Sequence, residues 1–117
     1  MTDEVFRPLD STADWNDALE QSTQTPVLVF KHSATCSISA KANEEMSTLS
    51  VEEDLPIFRV VVQESRSVSD EIAESLNVRH ETPQAILIRD EKAIFDTSHL
   101  NVTVDSLRKE LRRTPAE

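Results

Sequence analysis

A single cysteine, Cys36, stands in the 117-residue chain, and the residue three places on is Ser39. The segment "HSATCSIS" (32–39) thus has the spacing of a dithiol redox site with the second thiol exchanged for a hydroxyl. With one cysteine an internal disulfide is impossible, so any sulfur chemistry at Cys36 involves another molecule. The apolar, β-branched run "PVLVFK" from Pro26 leads into the cysteine, and "SISAKANEEMSTLS" after it places Ile38, Ala42, Met46 and Leu49 at helical spacing. A cysteine at such a strand-to-helix junction faces the free N–H groups and positive end of a helix, which favours the nucleophilic thiolate. The competing reading is a structural thiol, since free cysteine is among the most buried residue types. Thr35, Ser37 and Ser39 are polar company for a core residue, but the residues alone leave both readings open.

Other side chains are candidates for the same neighbourhood. His32 lies four residues before Cys36 and His80 three before Pro83. Either could stabilise a thiolate, or be a loop histidine satisfied by local hydrogen bonds. Ser39 could donate to the thiolate across one helical turn, face solvent or bond back to its helix. Lys31 could attract an anionic thiol or simply be solvated, and Trp15 reads as core. One cysteine and three scattered histidines lack metal-ligand spacing, so no metal is expected.

The elements that must position these residues follow from periodicity. Ser11 with Asp14 opens a first helix carrying Trp15, Ala18 and Leu19; the strand from Pro26 and the helix after Cys36 come next. "PIFRVVV" from Pro56 is a second buried strand, and "SVSDEIAESLN" a third helix with Ser67 as N-cap and Asn77 as a left-handed stop. "TPQAILIRD" and "KAIFD" form a hairpin about Asp90-Glu91, and "TVDSLRKELRR" is a final helix capped by Thr103. The order is α-β-α-β-α-β-β-α, one domain over 1–117, with about four strands in a central mixed sheet. Glycine is absent, so left-handed positions should fall to residues such as Asn77, Asp90 or Asn101. Pro83 after Thr82, where a central strand should begin, fits a cis bond.

Twelve basic against 22 acidic residues give a net charge of -10, which repels a phosphate backbone, and 4% aromatic residues offer few stacking surfaces, so nucleic acid is not an expected partner. No apolar run approaches the ~20 residues that span a bilayer, and "MTDEVFRPLD" lacks the basic start and apolar stretch of a signal peptide. A cytoplasmic protein without membrane association is expected.

A strand–Cys–helix unit, a β-α connector, then Thr-Pro opening a hairpin and a last helix is the layout of the α/β thioredoxin-like fold. "KHSATCSIS" together with "RHETPQAIL" resembles the bacillithiol system proteins of the monothiol bacilliredoxin (YtxJ-like) type, over about Phe6 to Leu111. The family shares a T-C-x-I-S core with a Ser-Pro or Thr-Pro dipeptide, and usually carries glycine near the last hairpin, where this chain has none. The resemblance implies a cytosolic thiol–disulfide oxidoreductase that removes bacillithiol from mixed disulfides on client proteins, with bacillithiol as thiol co-substrate and no other cofactor. It implies Cys36 as the attacking thiol, Ser39 in place of the resolving cysteine, and Thr82 with Pro83 lining the substrate groove. Thr35, Ser37 and His32 complete the expected substrate-binding set, in a protein expected to act as a monomer. A non-catalytic thioredoxin-like binding module is the alternative. A cluster-sharing monothiol glutaredoxin fits poorly, because its glycine-phenylalanine step after the cysteine is Ser37-Ile38 here.

Overall fold

The computed structural model describes residues 5–53 and 55–113. In chain order the elements are β1 (Phe6–Pro8), α1 (Thr12–Gln21), β2 (Val27–His32), α2 (Ser37–Glu53), β3 (Ile57–Val61), α3 (Arg66–Leu76), β4 (Gln84–Arg89), β5 (Lys92–Ser98), a 3-10 turn (His99–Asn101) and α4 (Val104–Arg113). The sheet runs β1-β3-β2-β4-β5; the first three strands are parallel and β4 and β5 antiparallel.

Alternation along β2 divides the core. Leu28 and Phe30 join Met46, Leu49, Leu87 and Leu107 on the side of α2 and α4. Val27 and Val29 join Trp15, Ile72, Ile86 and Ile88 on the side of α1 and α3. Each such side chain removed from water contributes on the order of 1.5–3 kcal/mol before entropy is set against it. The helices therefore cover both faces of the central strands, as their nearly unbroken apolar runs require.

The sheet has five strands rather than about four. The extra one, β1, is three residues long and pairs with β3 through Phe6↔Ile57, Arg7↔Phe58 and Pro8↔Arg59. Only Phe6 of the three is buried, so the segment shows no period, and a proline is tolerated because the strand is an edge. The third helix begins at Arg66, and its N-cap is Ser65 rather than Ser67: the Ser69 N–H already donates to the Ser65 carbonyl at 3.1 Å. Ser11 caps α1 by accepting the Asp14 N–H at 3.2 Å, and Thr103 caps α4 by accepting the Ser106 N–H at 3.1 Å.

Left-handed backbone occurs at Asn77, Asp90, Glu91 and His99, not at Asn101. Glu91 pays a Cβ penalty that glycine would avoid. Ser22 offsets it from outside the hairpin: its carbonyl accepts the Asp90 N–H and its hydroxyl accepts the Glu91 N–H, both at 2.9 Å. Among the described residues no helix is long and apolar enough to cross a membrane.

Candidate active site

Cys36 immediately precedes α2, and its carbonyl accepts the Ala40 N–H at 3.0 Å, the first bond of the helical ladder. It is the cap residue, whose side chain is the one placed to meet the open N–H groups of the first turn. The thiol is free and half-buried, between the exposed Thr35 and Ser37.

Ser39 is neither exposed nor bonded back to its own helix. It is fully buried, accepts the Ser33 N–H at 2.9 Å, and its Oγ lies 2.8 Å from His32 Nδ1. A resolving group has to attack sulfur, and this hydroxyl instead stitches the loop before the cysteine to the helix after it. His32 is the last residue of β2 rather than a loop residue, and its ring packs on Phe30 with centroids 5.5 Å apart.

The loop before Cys36 has a second clamp. Gln63, just past β3, accepts the Ala34 N–H at 3.0 Å, and its amide donates to Ser33 Oγ at 2.7 Å and Thr35 Oγ1 at 3.3 Å. No periodicity or motif marks Gln63. The only available signal was its place directly after a parallel strand adjacent to β2, the end of an open α/β sheet where sites form.

The Thr82–Pro83 peptide is cis, as expected, and Pro83 is buried. The β2–β4 pairing ends at Lys31↔Gln84, so Pro83, the residue before Gln84, lies at the end of β2 from which the chain runs into Cys36. The Pro83 carbonyl accepts the His99 N–H at 2.9 Å, tying this turn to the 3-10 segment. A cleft of about 190 Å³ lies between that segment and α2, lined by Ile38, Lys41, Glu45, His99, Leu100 and Val102. Ile38 and Leu100, 38% and 72% exposed, give its rim an apolar character. Cys36, Thr35, Ser37, Ser39, His32, Thr82 and Pro83 thus gather at one end of the sheet.

Lys31 is not solvated at the surface. It is fully buried on the α3 face, where Nζ donates to the Ser69 carbonyl at 3.1 Å and lies 3.2 Å from His80 Nδ1. Burial pushes its pKa down to about 8, against the attraction of Asp70. His80, a loop residue between α3 and β4, contacts Thr82 two residues on and also Lys31 and Ser69 across the fold. Burial, with the Lys31 charge added, holds its pKa below the usual value. Among the described residues no cluster of three or more His, Cys, Asp or Glu could hold a metal.

The sequence profile described as Monothiol bacilliredoxin BrxC matches residues 7–107. The chain belongs to the monothiol bacilliredoxin family. A solved structure described as having a thioredoxin fold is 32% identical, with 92% of this chain and 95% of that one covered and a TM-score of 0.85. The thioredoxin of Fasciola hepatica is 17% identical, covers 94% and 100%, and has a TM-score of 0.76. Mitochondrial thioredoxin 3 of Saccharomyces cerevisiae is 13% identical, covers 97% and 100%, and has a TM-score of 0.75. The last two likenesses speak to the fold alone. Family and fold together make the chain a thioredoxin-like thiol oxidoreductase, and within this bacilliredoxin the half-buried Cys36 is the one side chain with thiol chemistry.

Proposed function

We propose that the protein removes bacillithiol, or a similar low-molecular-weight thiol, from mixed disulfides on cytoplasmic client proteins, acting as a monomer through Cys36. The Cys36 thiolate attacks the bacillithiol-side sulfur. A Cys36–bacillithiol disulfide forms, the old S–S bond breaks, and the client leaves as a thiolate. A second thiol then attacks the adduct, forms a disulfide with bacillithiol and returns Cys36 to the thiolate. The protein gains no electrons over the cycle and needs no bound cofactor beyond the thiol co-substrate.

One observation carries this reading: the only cysteine caps α2 at the Thr82–Pro83 end of the sheet, and the residue a helical turn away is a buried serine already committed to His32 and Ser33. A mixed disulfide on Cys36 therefore has no internal competitor and must be resolved by an outside thiol. In this reading Thr35, Ser37, Thr82 and Pro83 line the groove in which the incoming disulfide lies, and His32 steadies its floor through Ser39.

The test is a bacillithiolated client incubated with the reduced protein and followed by intact mass spectrometry. A bacillithiol mass added at Cys36 with release of free client is expected, and no transfer with Cys36→Ser. A client that stays modified beside unmodified Cys36 would overturn the assignment.

A further inference from the structure

The exchange steps leave the polar cluster on the α3 side of the sheet unused. Three contacts there form a chain: the Lys31 ammonium 3.2 Å from His80 Nδ1, and His80 Nε2 3.4 Å from Thr82 Oγ1, with Lys31 anchored on the Ser69 carbonyl at 3.1 Å. Ser69 Oγ also lies 3.4 Å from His80 Nδ1. Gln84, opposite Lys31 in the strand pairing, donates to the Arg79 carbonyl at 2.9 Å, while its buried Oε1 has no hydrogen-bond partner among the described residues. The charges acting on the pair are Asp70 and Arg66 from α3 and Glu81 from the connector. Burying a charge and a half-satisfied amide at the end of a sheet is costly, and such expense is expected where it serves a site.

The chemistry of the chain runs in one direction. With Lys31 lowered only to about 8 and His80 held below its usual value, an ammonium faces a neutral imidazole at pH 7. An ammonium has three donors and no lone pair, so Nδ1 has to accept. The single ring proton then sits on Nε2, which donates to Thr82 Oγ1. With its oxygen engaged from behind, the Thr82 hydroxyl directs its own proton away from His80. We propose that Lys31 is a positioning residue that works through His80: it fixes the tautomer of the ring, and so the direction of the Thr82 hydroxyl at the turn where a substrate disulfide meets Cys36. The proposal rests on the thiol-exchange reading for what Thr82 meets, and for the state of the ring on the contacts of Lys31 and Thr82 with its two nitrogens together with the lowered His80 pKa.

Two readouts test it. Long-range nitrogen–proton NMR of the full chain at pH 7 should show His80 as the Nε2–H tautomer in the native protein and a mixture in Lys31→Met. The second readout is the exchange rate with a bacillithiol mixed disulfide, divided by the alkylation rate of Cys36 with iodoacetamide. Lys31→Met and Thr82→Val should each lower this ratio roughly five- to tenfold, the worth of one hydrogen bond. The double variant should lose no more than either single one, because both break the same chain. In the native protein the ratio should fall as pH rises through about 8 and Lys31 loses its proton, and in Lys31→Met it should be flat. His80→Gln, whose amide oxygen accepts while its NH2 donates, should restore most of what His80→Leu loses. An Nδ1–H tautomer in the native protein, or losses that multiply in the double variant, would overturn the proposal. The tautomer needs no turnover, so a protein that fails to take up bacillithiol would sink the functional reading and leave this measurement standing.

Discussion

Lys31 and His32 are consecutive on β2 and point to opposite faces of the sheet, and the two faces hold them by different physics. On the α2 side, His32, Ser39 and the Ser33 N–H form a set with distances of 2.8 and 2.9 Å, between residues seven and six apart in sequence. On the α3 side, a buried ammonium is held by Ser69 and His80, 38 and 49 residues away. The first set binds a loop to its own helix through a serine hydroxyl, a backbone N–H and a half-buried imidazole. The second joins distant segments and retains a charge in the interior, where its attraction to Asp70 does not recover what leaving water costs. The difference separates stability from chemistry: the α2 face should stabilise the fold, whereas the α3 face should tax it while setting the state of the site.

The largest expected effect is on the α2 face. Ser39→Ala removes both contacts at once and leaves the Ser33 N–H and His32 Nδ1 without that partner, at a cost of about 1–3 kcal/mol. Urea unfolding should show a lower midpoint at unchanged slope. An unchanged midpoint would mean that Ser39 does not join the loop to the helix.

Lys31→Met should behave in the opposite way. It replaces a buried charge with an apolar chain of similar length, so stability should stay level or rise by about 1 kcal/mol even as the exchange ratio drops. Loss of stability comparable to Ser39→Ala would erase the contrast between the faces and make Lys31 an ordinary structural residue.

A smaller effect comes from titrating Lys31 in place. Its folded pKa of about 8 lies below the ordinary 10.5, so between these values the unfolded chain binds more protons than the folded one. Stability should therefore rise with pH across that window, as the cost of burying the ammonium is relieved. The chain has no tyrosine to titrate there, and a Cys36→Ser background removes the thiol. The upward slope should be present in that background and missing when Lys31→Met is added. A flat curve in the background would mean that the fold does not lower the Lys31 pKa.

The same contrast explains what could be read from the sequence. Four helices, the buried strands, the left-handed Asn77 and the turn at Asp90 are local consequences of period, caps and backbone preference, and so was the place of Cys36 at the head of α2. The partners of Ser39 lie within seven residues, yet three directions remained open to its hydroxyl, and only the packing of α2 on β2 selects one. Lys31 ends an apolar run and its alternation places it inward beside Val29, but a lone lysine looks solvated until Ser69 and His80 are folded over it. Strand β1 escaped because three residues with one buried side chain carry no period. Gln63 escaped because its role depends on β3 lying beside β2, a pairing no local pattern encodes.

Gln63 supplies the smallest test, and it bears on how far the α2-face argument extends. Its side chain is exposed, yet it contacts Ala34, Ser33 and Thr35 in the loop that delivers Cys36 to the helix. Water can replace each of these bonds when Gln63→Ala removes them, so the loss of global stability should be under about 1 kcal/mol. The effect should instead be local. The Ser33 N–H still has Ser39 as its partner, whereas the Ala34 N–H loses the Gln63 carbonyl, so hydrogen exchange should accelerate at Ala34 and stay nearly unchanged at Ser33. Equal acceleration at both amides would show that the exposed clamp, and not the buried serine, holds the loop, and the hydrogen-bond network of Ser39 would then be a consequence of that loop's order rather than its cause.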